Sequence, residues 1–161
     1  MDYYSQKFMR SIQLLRSFSN VQKNMMRFIQ KTAADNDLSV PQYTILMAIA
    51  SHKKMTQKSV GEKTLLPKST LSQAVDGLVQ AGWLNRQQVE GNRREIELTI
   101  SEQGEAFVKM MHAQEGGIHQ VFQSAVELLT DKQYEELLDV HEKISNCLEK
   151  QALNKESVKN D

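Results

Sequence analysis

The spacing of apolar side chains predicts a chain of helices interrupted once by a β-hairpin. From residue 5 to 34, Phe8, Ile12, Leu15, Phe18, Val21, Met25 and Phe28 recur at steps of three and four, the period of one helix face. Asp35-Asn36-Asp37 closes that helix. Ser39-Val40-Pro41-Gln42 then has the form of a capping box, with Pro41 tolerated in the first turn; the helix it opens runs to about Ser51 and is nearly all apolar on one side. Thr56 is placed to cap a short helix, and a further helix follows from Pro67 to Ala81, stopped by Gly82. Trp83 to Gln88 reads as a strand, Gly91-Asn92-Arg93-Arg94 as a turn, and Glu95 to Ile100 alternates polar and apolar as the return strand. Ser101 to Glu105 starts another long helix, with Phe107, Met110, Met111, Ile118, Phe122, Ala125 and Leu129 on one side. Gly116-Gly117 interrupts it and predicts a kink or flexible point. Thr130-Asp131-Lys132 caps a last helix carrying Tyr134, Leu137, Leu138, Val140, Ile144, Cys147 and Leu148, and the polar tail 154–161 is expected to fray.

Between Thr56 and Thr99 the order is helix, tight turn, helix, basic hairpin. That is a helix-turn-helix with a wing, an arrangement that sets one helix in a DNA major groove. The expected fold class is mainly α with a small β-wing. A winged helix-turn-helix lobe over residues 38–100 is flanked by dimerisation helices at 1–34 and 101–153, all within one domain spanning 1–161. The apolar faces of the first and last two helices are wider than a compact winged helix needs to cover. They serve as extra core or as a dimer interface, and the doubling of DNA contacts by two-fold symmetry favours the dimer.

Charge changes the picture in one respect. The formal net charge is zero, which alone argues against a nucleic-acid partner. Yet residues 52–94 hold eight Lys/Arg against three Asp/Glu, residues 1–51 carry a net +3, and residues 95–161 carry −8. A basic middle beside an acidic end is the pattern of localised phosphate binding in a neutral protein. The longest wholly apolar run, Ile45 to Ala50, is too short to span a bilayer, so no membrane role is expected. The N-terminus lacks the pattern of a secretory leader, and the single Cys147 excludes an intrachain disulfide; a cytoplasmic location is expected.

Direct readout of bases needs short polar side chains at the start of the second helix of the motif, and Lys68, Ser69, Thr70, Ser72 and Gln73 supply them. Lys68 suits guanine or phosphate, Gln73 suits adenine, and the Thr70 methyl suits thymine, while Leu71, Val75, Leu78 and Val79 face inward. Gln57 and Lys58, opening the preceding helix, suit phosphate contacts. Asn92, Arg93 and Arg94 form the hairpin tip, where an arginine fits a narrow minor groove. Arg94 shares parity with Ile96, Leu98 and Ile100, but either arginine is a candidate for the groove. His112, Glu115 and His119 fall at i, i+3 and i+7 and are read as a solvated polar face rather than metal ligands. No catalytic motif is present, so no enzyme activity, cofactor or metal is expected.

The segment resembles the multiple-antibiotic-resistance regulator (MarR) family of winged-helix transcription factors. The resemblance rests on Leu38-Ser39-x-x-Gln42, Pro67-Lys68-Ser69-Thr70-Leu71-Ser72, Leu78-x-x-x-Gly82-Trp83-Leu84-x-Arg86 and Leu98-Thr99-x-x-x-x-Gly104. It implies a homodimer joined through the first and last helices, binding a pseudo-palindromic double-stranded operator, usually repressing transcription and released by a small-molecule effector. Three departures stand out. The turn before the recognition helix is Thr64-Leu65-Leu66-Pro67, where the family usually has a glycine. The wing has Asn92-Arg93-Arg94 in place of Asp-x-Arg. No cysteine lies near the N-terminus, and Cys147 is expected to be packed rather than to sense oxidants. A winged-helix adaptor or antirepressor that binds a protein instead of DNA is the alternative reading.

Overall fold

A computed structural model of the protein describes residues 5–157. The chain divides into two compact units, Met1–Gln120 and Val121–Asp161. The first unit opens with α1 (Gln6–Asp35), capped by the Ser5 side chain, which accepts from the Phe8 N–H. Asn36 and Asp37 end it, Asp37 at φ 54°. The predicted capping box then forms in full at α2 (Val40–His52). The Ser39 hydroxyl accepts from the Gln42 N–H, and the Gln42 amide oxygen accepts from the Ser39 N–H. A short β1 (Lys54–Thr56) leads into α3 (Gln57–Thr64), with Thr56 Oγ1 accepting from the Ser59 N–H. After α4 (Lys68–Gln80), β2 (Leu84–Val89) and β3 (Asn92–Ile100) form the hairpin. Next come α5 (Glu102–Ala113) and α6 (Ile118–Glu127), the latter crossing into the second unit, which is completed by α7 (Asp131–Ser157).

The sheet has three antiparallel strands in the order β1-β3-β2. Its registers pair Met55 with Leu98 and Arg86 with Leu98, so β3 is the centre and β1 an edge. The core of the first unit gathers Ile45, Leu46 and Ile49 of α2, Val60 of α3, Val75 and Leu78 of α4, Leu84, Leu98 and Met111, all essentially without solvent contact. At about 25 cal/mol per Å2 of apolar surface, this burial is what holds the helices on the sheet. Trp83 stacks on Phe107 with ring centroids 4.2 Å apart, closing the sheet against α5. Gly104 permits that approach: a Cβ there would stand 2.2 Å from the Trp83 carbonyl oxygen.

The structure differs from the sequence expectations at five places. The predicted single helix after the hairpin is two helices, because Gly116 adopts φ 70° and Gln114 is extended; the break is anchored where the Ile118 N–H donates to the buried Thr32 hydroxyl. The edge strand β1 was not anticipated. The hairpin turn lies at Glu90-Gly91, with Gly91 at φ 81°, so that Asn92, Arg93 and Arg94 belong to β3 rather than to the turn. Pro67 occupies the capping position of α4, at ψ 144°, rather than its first turn. The tail expected to fray from residue 154 remains helical to Ser157, and residues 158–161 lie outside the described residues.

Candidate nucleic-acid interface

Three elements converge on one cleft of about 700 Å3. From α3 come Gln57 and Lys58, from α4 Lys68 and Ser72, and from β3 Asn92 and Arg94. The order of the chain explains the meeting. The left-handed Leu65 (φ 54°) reverses the backbone after α3, so that the start of α4 lies beside the start of α3. The alternation along β3 then puts Asn92, Arg94 and Ile96 on the side facing both helices. Lys58, Lys68 and Arg94 make the cleft cationic, tempered by Glu62 and Glu95 in its wall.

Each candidate side chain has a definite place. Lys68, Ser69, Ser72 and Gln73 are exposed on the first turns of α4, and Thr70 is half-buried. Ser69, Thr70 and Gln73 lie on α4 outside the cleft lining. Leu71, Val75 and Leu78 are buried and Val79 half-buried, as their spacing predicts. Pro67 gives α4 no side-chain cap, so its leading N–H groups keep no side-chain acceptor, a terminus suited to an anion. Arg93 and Arg94 are both exposed, but only Arg94 lines the cleft. The Asn92 side-chain oxygen accepts from the Arg94 N–H at 3.1 Å and fixes the backbone that carries the arginine. Behind the hairpin, Arg86 of β2 is ion-paired with Asp76 of α4, tying the wing to the second helix of the motif. The Gln57 Oε1 is buried without a hydrogen-bond partner among the described residues, a deficit of roughly 1–3 kcal/mol.

A second cavity, of about 580 Å3, opens between α2 and α5 and is lined by Tyr43, Met47, Lys53, Lys109, His112 and His119, among others. The Tyr43 hydroxyl and His119 Nε2 are 3.2 Å apart. The His112 and His119 rings lie 3.9 Å apart between centroids, tilted by 55°. Burial pushes the Tyr43 hydroxyl above its ordinary pKa, and burial first, then the neighbouring His112, holds His119 below the usual imidazole range. Lys53 Nζ donates to Glu105 Oε1 at 2.8 Å, which lowers the pKa of that carboxyl. The predicted polar face of His112, Glu115 and His119 is therefore not one helix face; the break brings the two imidazoles together at the cavity wall and leaves Glu115 exposed. Among the described residues no three His, Cys, Asp or Glu side chains gather as metal ligands. Cys147 is exposed in the single chain rather than packed. No described helix is long and apolar enough to cross a membrane.

The fold and the cleft define a winged helix-turn-helix protein. Within that class, residues 36–95 match the model of the MarR family, and the chain spans just under two thirds of the length of the curated relatives it matches. The chain is 29% identical over 96 residues to the HTH-type transcriptional regulator SarZ of Staphylococcus aureus, a match covering 60% of this chain and 65% of SarZ. Mutant MarR from E. coli complexed with operator DNA superposes with a TM-score of 0.67 at 21% identity, covering 87% of this chain and 99% of that one. NadR in complex with 4-hydroxyphenylacetate superposes with a TM-score of 0.68 at 14% identity, covering 89% of this chain and 95% of NadR.

Proposed function

We propose that this protein is a sequence-specific DNA-binding transcriptional regulator that works as a homodimer on a pseudo-palindromic operator. The observation that carries the reading is the cleft in which the starts of α3 and α4 meet Arg94 of the wing. Lys58 and Lys68 neutralise phosphate there, Ser69, Thr70, Ser72 and Gln73 present hydrogen-bonding groups and a methyl to base edges, and Arg94 follows the backbone toward the minor groove. The family match, the regulator relative and the operator-bound structural neighbour support the same reading.

Two further parts of the proposal concern assembly and control. Leu14, Leu15 and Val21 of α1 are exposed on one side of that helix, as are Leu137, Leu138, Val140 and Leu148 of α7. Faces of that kind on helices are buried in a second copy, which sets two α4 helices one helical turn of DNA apart, roughly 34 Å. The cavity beside Tyr43 is the candidate effector pocket, and an amphipathic effector lodged there releases a repressor if it prefers a dimer shape in which the two helices lose that spacing. The ligand-bound neighbour supports an effector of small-molecule size.

The test is selection from a randomised duplex pool. Enrichment of a two-fold symmetric site with half-sites one turn apart is expected. A folded, dimeric protein that enriches no motif would contradict the proposal and favour the adaptor reading.

A further inference from the structure

The effector pocket proposed above has a feature that a passive apolar cavity does not need. Its wall contains two imidazoles in ring contact, 3.9 Å apart, one of them hydrogen-bonded to a buried tyrosine. We infer that the Tyr43–His119–His112 cluster is a proton-operated latch that loosens the start of α6 from α2 in mild acid and weakens DNA binding. This inference rests on the DNA-binding reading of the same chain.

The geometry makes the latch. His112 lies in the last turn of α5 and His119 in the first turn of α6, on either side of the break at Gly116, whose φ of 70° glycine adopts without strain. Two contacts hold the start of α6 in place. The Ile118 N–H bonds to Thr32 of α1, and His119 meets Tyr43 of α2. On α2, Tyr43 follows Gln42, whose side chain lies against Gly77 of the recognition helix, where a Cβ would stand 2.4 Å from the Gln42 amide nitrogen. The cluster is therefore one short step from the helix proposed to enter the major groove, and α6 is the route by which the chain continues toward α7.

The charged surroundings decide the sign. Lining the same cavity are Lys53 and, from α5 itself, Lys109 and Glu105, with Glu105 already engaged by Lys53. From α2 the titratable group is Tyr43, neutral at any physiological pH, and on the α1 side Lys31 lies near Gly116. Glu115, in the connection, is exposed to solvent. No free carboxylate lines the cavity to compensate a second positive charge. The two rings are in contact, and burial, then the neighbouring His112, disfavours a charge on His119. Protonating one makes the other harder to protonate, and protonating both sets like charges within ring contact, with His119 half-buried and His112 exposed. A state in which the rings separate and meet water has the ordinary imidazole affinity for protons. Lowering the pH through about 6.5 therefore shifts the population toward that state, and raising it restores the latch.

The experiment measures DNA binding by fluorescence anisotropy on a duplex obtained by selection at pH 7.5. It is repeated from pH 7.5 to 5.5 at constant ionic strength, with and without chelator, alongside 1H–13C imidazole spectra of the protein alone. The wild type should lose about tenfold in affinity across that range. His119→Gln, which keeps a hydrogen-bonding group opposite Tyr43, should lose no more than about twofold. In the spectra, His119 should titrate below the ordinary imidazole range, and His112→Gln should move its midpoint upward. Equal pH dependence in wild type and His119→Gln overturns the latch, as does independent titration of the two imidazoles. A pH response that chelator abolishes also overturns it, in favour of a metal at the pair. Absence of salt-dependent binding at pH 7.5 defeats the DNA-binding reading instead, and the imidazole spectra still judge the coupling of the two rings.

Discussion

Arg93 and Arg94 are neighbours in the chain and differ in what they face. Arg94 shares the cleft with Lys58 and Lys68, whereas Arg93 is exposed outside the cleft. Arg94→Ala should therefore lower the slope of log affinity against log salt by about one unit and weaken binding to all duplexes alike, with Arg93→Ala having the smaller effect. The reverse ranking, read from anisotropy titrations over a salt series, would place the wing differently on DNA. Gln73→Ala should act in another way, costing about 1–3 kcal/mol at one base pair per half-site; equal losses on operator and random duplexes would remove it from base readout. The parity that separates the arginines is legible in the sequence, because Arg94 alternates with Ile96 and Leu98. The position of the turn is not. It depends on a register irregularity between Gln88 and Val89, which draws Asn92 into the strand opposite Val89. Nor does the chain announce that Tyr43 meets His119, 76 residues away.

At the scale of elements, the helix-turn-helix is built with an unusual joint. Leu65 takes the left-handed conformation that ends α3, exposing 87% of its surface, although no side-chain packing compensates the strain. That conformation costs an L-residue roughly 1–2 kcal/mol, against roughly 0.5–1 kcal/mol of extra unfolded-state freedom for glycine. Leu65→Gly should therefore raise stability by up to about 1 kcal/mol in urea unfolding; a loss of stability would show that the leucine is held by contacts of its own. Gly104→Ala should be damaging, by about 1–3 kcal/mol or more, since the new Cβ meets the Trp83 carbonyl rather than a side chain that can turn away. An unchanged melting temperature would mean that α5 can lift from the sheet at no cost. Helix existence was readable here from period and caps, as at Ser39 and Thr56. The edge strand Lys54–Thr56 was not, because three residues carry no period and its pairing with β3 spans more than forty positions of sequence.

For the whole molecule, the balance of charge matters more than its total. The basic cleft belongs to a stretch of net +5, while residues 95–161 carry −8. Such a chain should bind DNA through one face and repel it elsewhere, which favours a single docking orientation. The same view assigns the exposed apolar side chains of α1 and α7 to a partner copy. Leu15→Glu combined with Val21→Glu should give a monomer by analytical ultracentrifugation while leaving the helical circular dichroism intact, and should reduce operator affinity far more than Arg94→Ala or Gln73→Ala does. A variant that stays dimeric would move the interface off α1.

The central claim is that the face formed by the starts of α3 and α4 and by the wing binds DNA by sequence. The most direct measurement is a mobility-shift titration on the DNA upstream of the protein's own gene, over a salt series and against random-sequence competitor. The account predicts specific binding at nanomolar protein that falls steeply with salt and weakens when Lys58, Lys68 and Arg94 are replaced by alanine. Absence of binding at low salt, from protein shown to be folded and dimeric, or binding indifferent to those three residues, would contradict it.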